Sequence, residues 1–158
     1  FRMFVESFWK IKERSRSLSK EDRERLIRVI DFMKDELVDL GKFKNLDQQT
    51  YEKNQDQRRN VERWTENIVN ASIDIAKIIL ASSKQKIPGT YKEVLSNLVL
   101  LPKFDKQTAE KLAEFATLRN FLAHEYLDLR FREIKIFVES ASETYRSLLD
   151  YAVTYCNL

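Results

Sequence analysis

The segment from residue 119 to residue 126 holds the side chains best suited to chemistry. These are Arg119, Asn120, Tyr126 and the only histidine of the 158-residue chain, His124. On a helix, Asn120 and His124 lie about 40° apart around the axis and so share one face. Arg119 and Tyr126 share a neighbouring face if the helix continues that far. The spacing therefore predicts that these polar groups converge on one spot.

These residue types suit the cleavage of a phosphodiester. The guanidinium of Arg119 can hold a phosphate through two hydrogen bonds and stabilise the charge of the transition state. The imidazole of His124 can take or give a proton near neutral pH. RNA carries its own nucleophile, the 2′-hydroxyl, so this chemistry strictly needs neither a metal nor another cofactor. From the spacing alone a capping or surface role for His124 stays open, because lone histidines late in a helix usually have one.

The periodicity of apolar residues predicts an all-α protein. Glycine and proline occur only twice each, which disfavours many short strands joined by tight turns. We predict helices capped by Ser19, Thr90 and Asp105, the first of them ending at Gly41, and further helices over about 47–83 and 131–156. Together they form an up-and-down helical bundle of four long helices plus a short one.

Length and composition suit one domain. We assign residues 18–158 to the helical bundle and residues 1–17 to an N-terminal extension of unknown role. The formal net charge of +3 is compatible with an RNA substrate but does not by itself indicate one. No stretch of about 18 uncharged apolar residues is present, so we expect no membrane span. One cysteine, Cys156, cannot form an internal disulfide, which suits a cytoplasmic protein.

Three segments resemble the HepT family of HEPN proteins. Arg119, His124 and Tyr126 match its Arg-x4-His-x-Tyr signature, and Asn120 is the asparagine that commonly follows the arginine. The supporting segments are VERWTENIVNASIDIAKIIL (61–80), IPGTYKEVLSNLVLL (87–101) and LRNFLAHEYLDL (118–129). The resemblance runs in order from about residue 20 to residue 156.

The resemblance implies a HEPN fold and a toxin–antitoxin system. HepT-like toxins are similar to metal-independent RNA endonucleases, so it implies an RNA substrate such as a tRNA or an mRNA. It places Arg119 on the phosphate, His124 as general acid or base, and Asn120 in support of the site. The cognate antitoxin would be a minimal nucleotidyltransferase of the MntA type, which would transfer AMP to Tyr126. The toxin would be a homodimer whose two signature segments face each other across a cleft.

One further argument favours a homodimer. Concerted acid–base cleavage needs one group to take a proton and another to give one. A chain with one histidine cannot supply two imidazoles, whereas a twofold dimer can; water or Tyr126 is the alternative partner. We also expect the apolar faces of segments 61–80 and 131–156 to be too extensive for one small bundle to hide.

Three residues outside the signature are candidates for contact with RNA or the cleft. Arg63 matches a position of the family and could reach the cleft. We expect Asp74 to be half-buried and paired, because a buried unpaired carboxylate is costly. Arg130 is expected at the mouth of the cleft, where the signature helix should break.

Two other functions remain open at this stage. The chain could be a non-catalytic helical partner that presents substrate to a nucleotidyltransferase. It could also be a dimeric bundle in which the signature only holds a helix end.

Overall fold

Seven α-helices and one 3₁₀ turn account for most of residues 18–157, the part of the chain that the computed structural model describes. The helices are α1 (Lys20–Val38), α2 (Leu40–Lys44), α3 (Gln48–Lys53), α4 (Gln55–Ser82), α5 (Tyr91–Ser96), α6 (Lys106–His124) and α7 (Leu127–Asn157). The 3₁₀ turn spans Asn97–Leu100. No strand occurs in these residues, so the predicted all-α fold with four long helices is confirmed. The predicted extension, residues 1–17, lies outside the described residues.

The three predicted helix caps are confirmed. Ser19, Thr90 and Asp105 each accept a hydrogen bond from the backbone N–H three residues later, at 3.0, 3.2 and 2.9 Å. Each bond satisfies a donor that the first turn of a helix leaves free. Caps of this kind are local, and this is why the sequence alone could place them.

Three predicted boundaries are wrong. Helix α1 ends at Val38, and Gly41 lies within α2 rather than after a C-terminus. The predicted helix over 47–83 is interrupted at Asn54, whose extended backbone (φ −100°, ψ 99°) separates α3 from α4. Its side chain caps α4 by accepting from the N–H of Gln57 at 3.1 Å. The last helix begins at Leu127 rather than near residue 131.

The core fills the space between α4 and the helices around it. Helix α4 packs against α1, α5, α6 and α7, and its apolar residues between Val61 and Leu80 are buried. Most apolar residues of α7 from Ile134 to Tyr155 are buried as well, but Ile136 is 49% exposed. The apolar surface of these two segments, which favoured a dimer, is therefore largely covered within one chain, with Ile136 as the exception. The homodimer stays a prediction, based on the family resemblance and on the need for two proton-transfer groups.

Helices α6 and α7 are antiparallel neighbours. Thr108 Oγ1 donates to Ser147 Oγ at 3.0 Å near one end, and Arg130 Nη1 donates to the carbonyl of Leu122 at 3.3 Å near the other. The C-terminus of α6 therefore lies beside the N-terminus of α7, and the signature segment is at this reversal of the chain. None of the helices described here is long and apolar enough to cross a membrane.

Candidate active site

The signature helix ends at His124. Glu125 is extended (φ −99°, ψ 164°), and its N–H donates to the carbonyl of Phe121 at 3.1 Å. Tyr126 lies in the short connection to α7, where its carbonyl accepts from the N–H of Arg130 at 2.9 Å. Because the helix stops before Tyr126, the expected shared helical face with Arg119 does not form. The chain reverses here because α7 packs back along α6.

Three of the four signature side chains are open to solvent. Asn120, His124 and Tyr126 are exposed, Tyr126 to 81%. None of the three side chains makes a hydrogen bond or an ion pair with the described part of the chain. A histidine that capped α6 would bond to the last carbonyls of the helix. His124 does not do so here.

Two adjoining grooves are lined by Arg119, Asn120 and His124, whereas Tyr126 lines neither of them. The His124 groove lies between α6 and α7, has a volume of about 410 Å³, and is lined by His124, Asn120 and Glu133 among others. The Arg119 groove lies between residues 89–92 and α6 and has a volume of about 510 Å³. Thr117 and Asn120 line both grooves and form the ridge between them.

The ridge follows from helix geometry. Arg119 and His124 are five positions apart, which is about 140° around the axis of α6. They therefore face neighbouring grooves rather than one spot, and Asn120 is the signature residue common to both. A phosphate bound near the ridge would lie between a guanidinium on one side and an imidazole on the other.

The guanidinium of Arg119 is only loosely engaged. Its Nη2 lies 3.8 Å from Glu66 Oε1, and its Cζ lies 5.6 Å from the centre of the Tyr91 ring. Its Nε is buried without a hydrogen-bond partner among the described residues, as is the Nε of Arg130, so the two arginines differ only at their Nη atoms. The side chain is 31% exposed. Arg119 thus keeps hydrogen-bonding capacity that a phosphate can use.

Arg130 is engaged within the protein rather than open at the mouth of the cleft. Its Nη1 pairs with Glu62 Oε1 at 2.8 Å, and that carboxylate also accepts from the hydroxyl of buried Tyr51. Burial, and then the hydrogen bond to Glu62, raise the pKa of Tyr51 well above its ordinary value. Together with the bond from Arg130 to Leu122, this network ties the end of α6 to α4.

The two remaining candidates lie on α4, and both are exposed. Asp74 has no hydrogen-bond or ion-pair partner among the described residues, so its expected burial and pairing are wrong. It follows buried Ile73, but the turn of about 100° per residue carries it to the solvent side. There it lines a groove between α1 and α4. Arg63 lies one turn before Glu66, on the part of α4 that contacts Arg119.

Sequence reasoning missed three residues beside Arg119. Tyr91 was within the segment that carried the resemblance, but no role was assigned to it. Glu66 and Lys77 are charged residues on a long helix, and nothing in the sequence distinguishes them from solvated ones. Their position against Arg119 and Tyr91 depends on how three helices pack.

The model of the HepT-like family, described as ribonuclease HepT-like, matches residues 33–151. This span is most of the chain and includes the whole signature. The chain belongs to the HepT-like ribonuclease family. The resemblance seen in the sequence is therefore confirmed, and the all-α bundle is consistent with a HEPN-type fold. No curated protein matches the chain.

Proposed function

We propose that this member of the HepT-like family is a metal-independent RNA endonuclease and the toxin of a toxin–antitoxin pair. The observation that carries the proposal is the contrast between the signature residues and Arg130. Arg130 is held in a network of internal bonds, whereas Asn120, His124 and Tyr126 have no partners among residues 18–157. Side chains that only held a helix end would be engaged as Arg130 is. The substrate is an RNA, such as a tRNA or an mRNA.

Each signature residue has a distinct role in cleavage. Arg119 holds the scissile phosphate and stabilises the charge that builds on it. His124 moves a proton at the 2′-hydroxyl or at the leaving 5′-oxygen. Asn120, on the ridge between the grooves, donates a hydrogen bond to the same phosphate. The nucleophile is the 2′-hydroxyl of the RNA, so the reaction proceeds without a metal.

The second proton transfer comes from another copy of the chain. His124 is at the end of α6, exposed and beside the reversal into α7, where a partner molecule can approach it. In a twofold homodimer the two copies of His124 face one cleft, one as acid and the other as base.

AMP transfer to Tyr126 switches the enzyme off. The side chain is 81% exposed in the connection that follows His124, so a nucleotidyltransferase of the MntA type can reach it. The attached phosphate adds negative charge and bulk beside the site and competes with RNA for Arg119.

Incubation of the purified protein with RNA in excess EDTA tests the catalytic proposal. We expect fragments that end in a 2′,3′-cyclic phosphate, because the 2′-hydroxyl attacks the adjacent phosphorus. The same oligonucleotide with 2′-deoxy sugars at the cut positions should stay intact. If RNA is left whole, the protein is better described as a non-catalytic partner that presents substrate to a nucleotidyltransferase.

A further inference from the structure

Two cations share one aromatic ring beside the Arg119 groove. Lys77 Nζ lies 4.9 Å from the centre of the Tyr91 ring, and Arg119 Cζ lies 5.6 Å from the same point. The three residues come from α4, α5 and α6, so only the tertiary fold brings them together. Like charges repel, but the negative face of an aromatic ring attracts each of them. Tyr91 thereby brings two positive charges within about 6 Å of one ring centre.

The positive charges of Lys77 and Arg119 are only partly balanced by nearby acids. Among the described residues, Glu66 is the only acid within ion-pair distance of either one, and it reaches Arg119 only at 3.8 Å. Lys77 forms no ion pair within that part of the chain. Lys92 lines the Arg119 groove together with Arg119 and adds a third positive charge, whereas Lys77 lies beside the groove at Tyr91. A groove of this charge attracts a polyanion.

We propose that the Arg119 groove and Lys77 form a binding site for the RNA backbone beyond the scissile phosphate. Lys77 binds a phosphate next to the one that Arg119 holds, and Tyr91 is the positioning residue for both cations. This inference rests on the proposed function, because it takes RNA as the substrate. Ammonium groups bind phosphates as point charges, and such contacts supply much of the affinity for nucleic acid.

A purely structural role for the same contacts makes a different prediction. If Lys77 and Tyr91 only held α5 against its neighbours, removing the charge of Lys77 would change the free energy of unfolding and nothing else. A phosphate contact releases counterions, so its loss changes how binding depends on salt. The salt dependence therefore separates the two roles.

The test uses the full chain and a fluorescent single-stranded 2′-O-methyl RNA, which cannot be cut because it has no free 2′-hydroxyl. Binding is measured by fluorescence anisotropy over a series of salt concentrations. For Lys77→Gln we expect several-fold weaker binding. The slope of log affinity against log salt should become shallower by about 0.7, the value for one phosphate contact on a single strand.

Lys106→Gln is the matched control. It removes the same charge from an exposed lysine that pairs with Glu110, about 20 Å along α6 from Arg119. Its slope should equal that of the wild-type protein. If Lys77→Gln has the slope of this control, the proposed site is wrong.

Two variants of Tyr91 test its positioning role. Tyr91→Phe keeps the ring and should bind as the wild-type protein does. Tyr91→Leu removes the ring and should weaken binding several-fold without unfolding the protein, since Tyr91 is 49% exposed. Equal affinities for Phe and Leu would overturn the role of the ring.

Cleavage is scored separately, so that the two proposals can fail independently. A protein that cuts RNA while Lys77→Gln leaves the slope unchanged contradicts this site alone. If the protein cuts no RNA but Lys77→Gln makes the slope of log affinity against log salt shallower, only the proposed nuclease activity is contradicted. A wild-type protein that binds no oligonucleotide overturns the site as well.

Discussion

Arg119 and Glu66 face each other at 3.8 Å, the outer limit of an ion pair. One turn earlier on α4, Glu62 holds Arg130 at 2.8 Å. Two arginines at the junction of α6 and α7 thus meet two glutamates of one helix, but only Arg130 is closely bound. We infer from this difference that Arg130 stabilises the fold, whereas Arg119 is available to bind the substrate.

Replacing each arginine by alanine should separate these roles. Arg130→Ala leaves Glu62 largely buried without its charge partner, so the free energy of unfolding should fall by about 1–3 kcal/mol. Arg119→Ala should lower it by no more than about 1 kcal/mol, because its ion pair is long and partly exposed. Urea unfolding monitored by circular dichroism measures both. Equal losses for the two variants would contradict the assignment.

The caps at Ser19, Thr90 and Asp105 were predictable because a cap depends on residues within one turn. The break at Asn54 was not, since no glycine or proline in the polar stretch around it marks an interruption.

In the candidate site, the signature marked Arg119 and His124, but not that they line two grooves. Their spacing of five residues separates them by about 140° on a helix, but the other walls of the two grooves are α7 and residues 89–92, whose packing against α6 cannot be read from the sequence. The cluster of Lys77, Tyr91 and Arg119 joins three helices, and no spacing in the sequence reveals it.

Acid should weaken the N-terminus of α6 through Asp105. Hydrogen bonds from the hydroxyl and then the N–H of Thr108 lower the pKa of this carboxyl below its ordinary value. A depressed pKa in the folded state contributes stability above the unfolded value, and that contribution is lost as pH falls through the folded value. Asp105→Asn keeps a capping oxygen but does not titrate. Its urea midpoint should therefore fall less than that of the wild-type protein between pH 6 and pH 3. Parallel pH curves would count against this cap.

Tyr126→Phe should escape modification by the cognate nucleotidyltransferase. With ATP and magnesium, the wild-type chain should gain the mass of AMP and lose its RNA cleavage, because the new phosphate competes for Arg119. The Phe variant should gain no mass, since it has no hydroxyl to accept the group. Tyr91→Phe, which removes another exposed tyrosine hydroxyl, is the control and should still be modified. Peptide mass spectrometry that finds AMP elsewhere, or full modification without loss of cleavage, would contradict the proposed switch.

Mixed dimers test whether both copies of the chain serve one cleft. His124→Ala and Arg119→Ala homodimers should each be inactive. A heterodimer of the two keeps one intact His124 and one intact Arg119 on different chains. Because the proposed mechanism uses both copies of His124 in one cleft, this heterodimer should stay inactive, and recovery of cleavage on mixing would show that one His124 suffices. An active protein that sediments only as a monomer would remove the argument for two histidines.

The rate of RNA cleavage by His124→Ala in excess EDTA tests the central claim most directly. Gln107→Ala, at an exposed position near the start of the same helix, is the control. We expect His124→Ala to be slower by about 10²–10⁴-fold, the usual cost of removing a proton-transfer group. Its unfolding midpoint should stay unchanged, because the imidazole makes no hydrogen bond or ion pair within the described residues. Cleavage by His124→Ala at the rate of the wild-type protein and of Gln107→Ala would contradict the account.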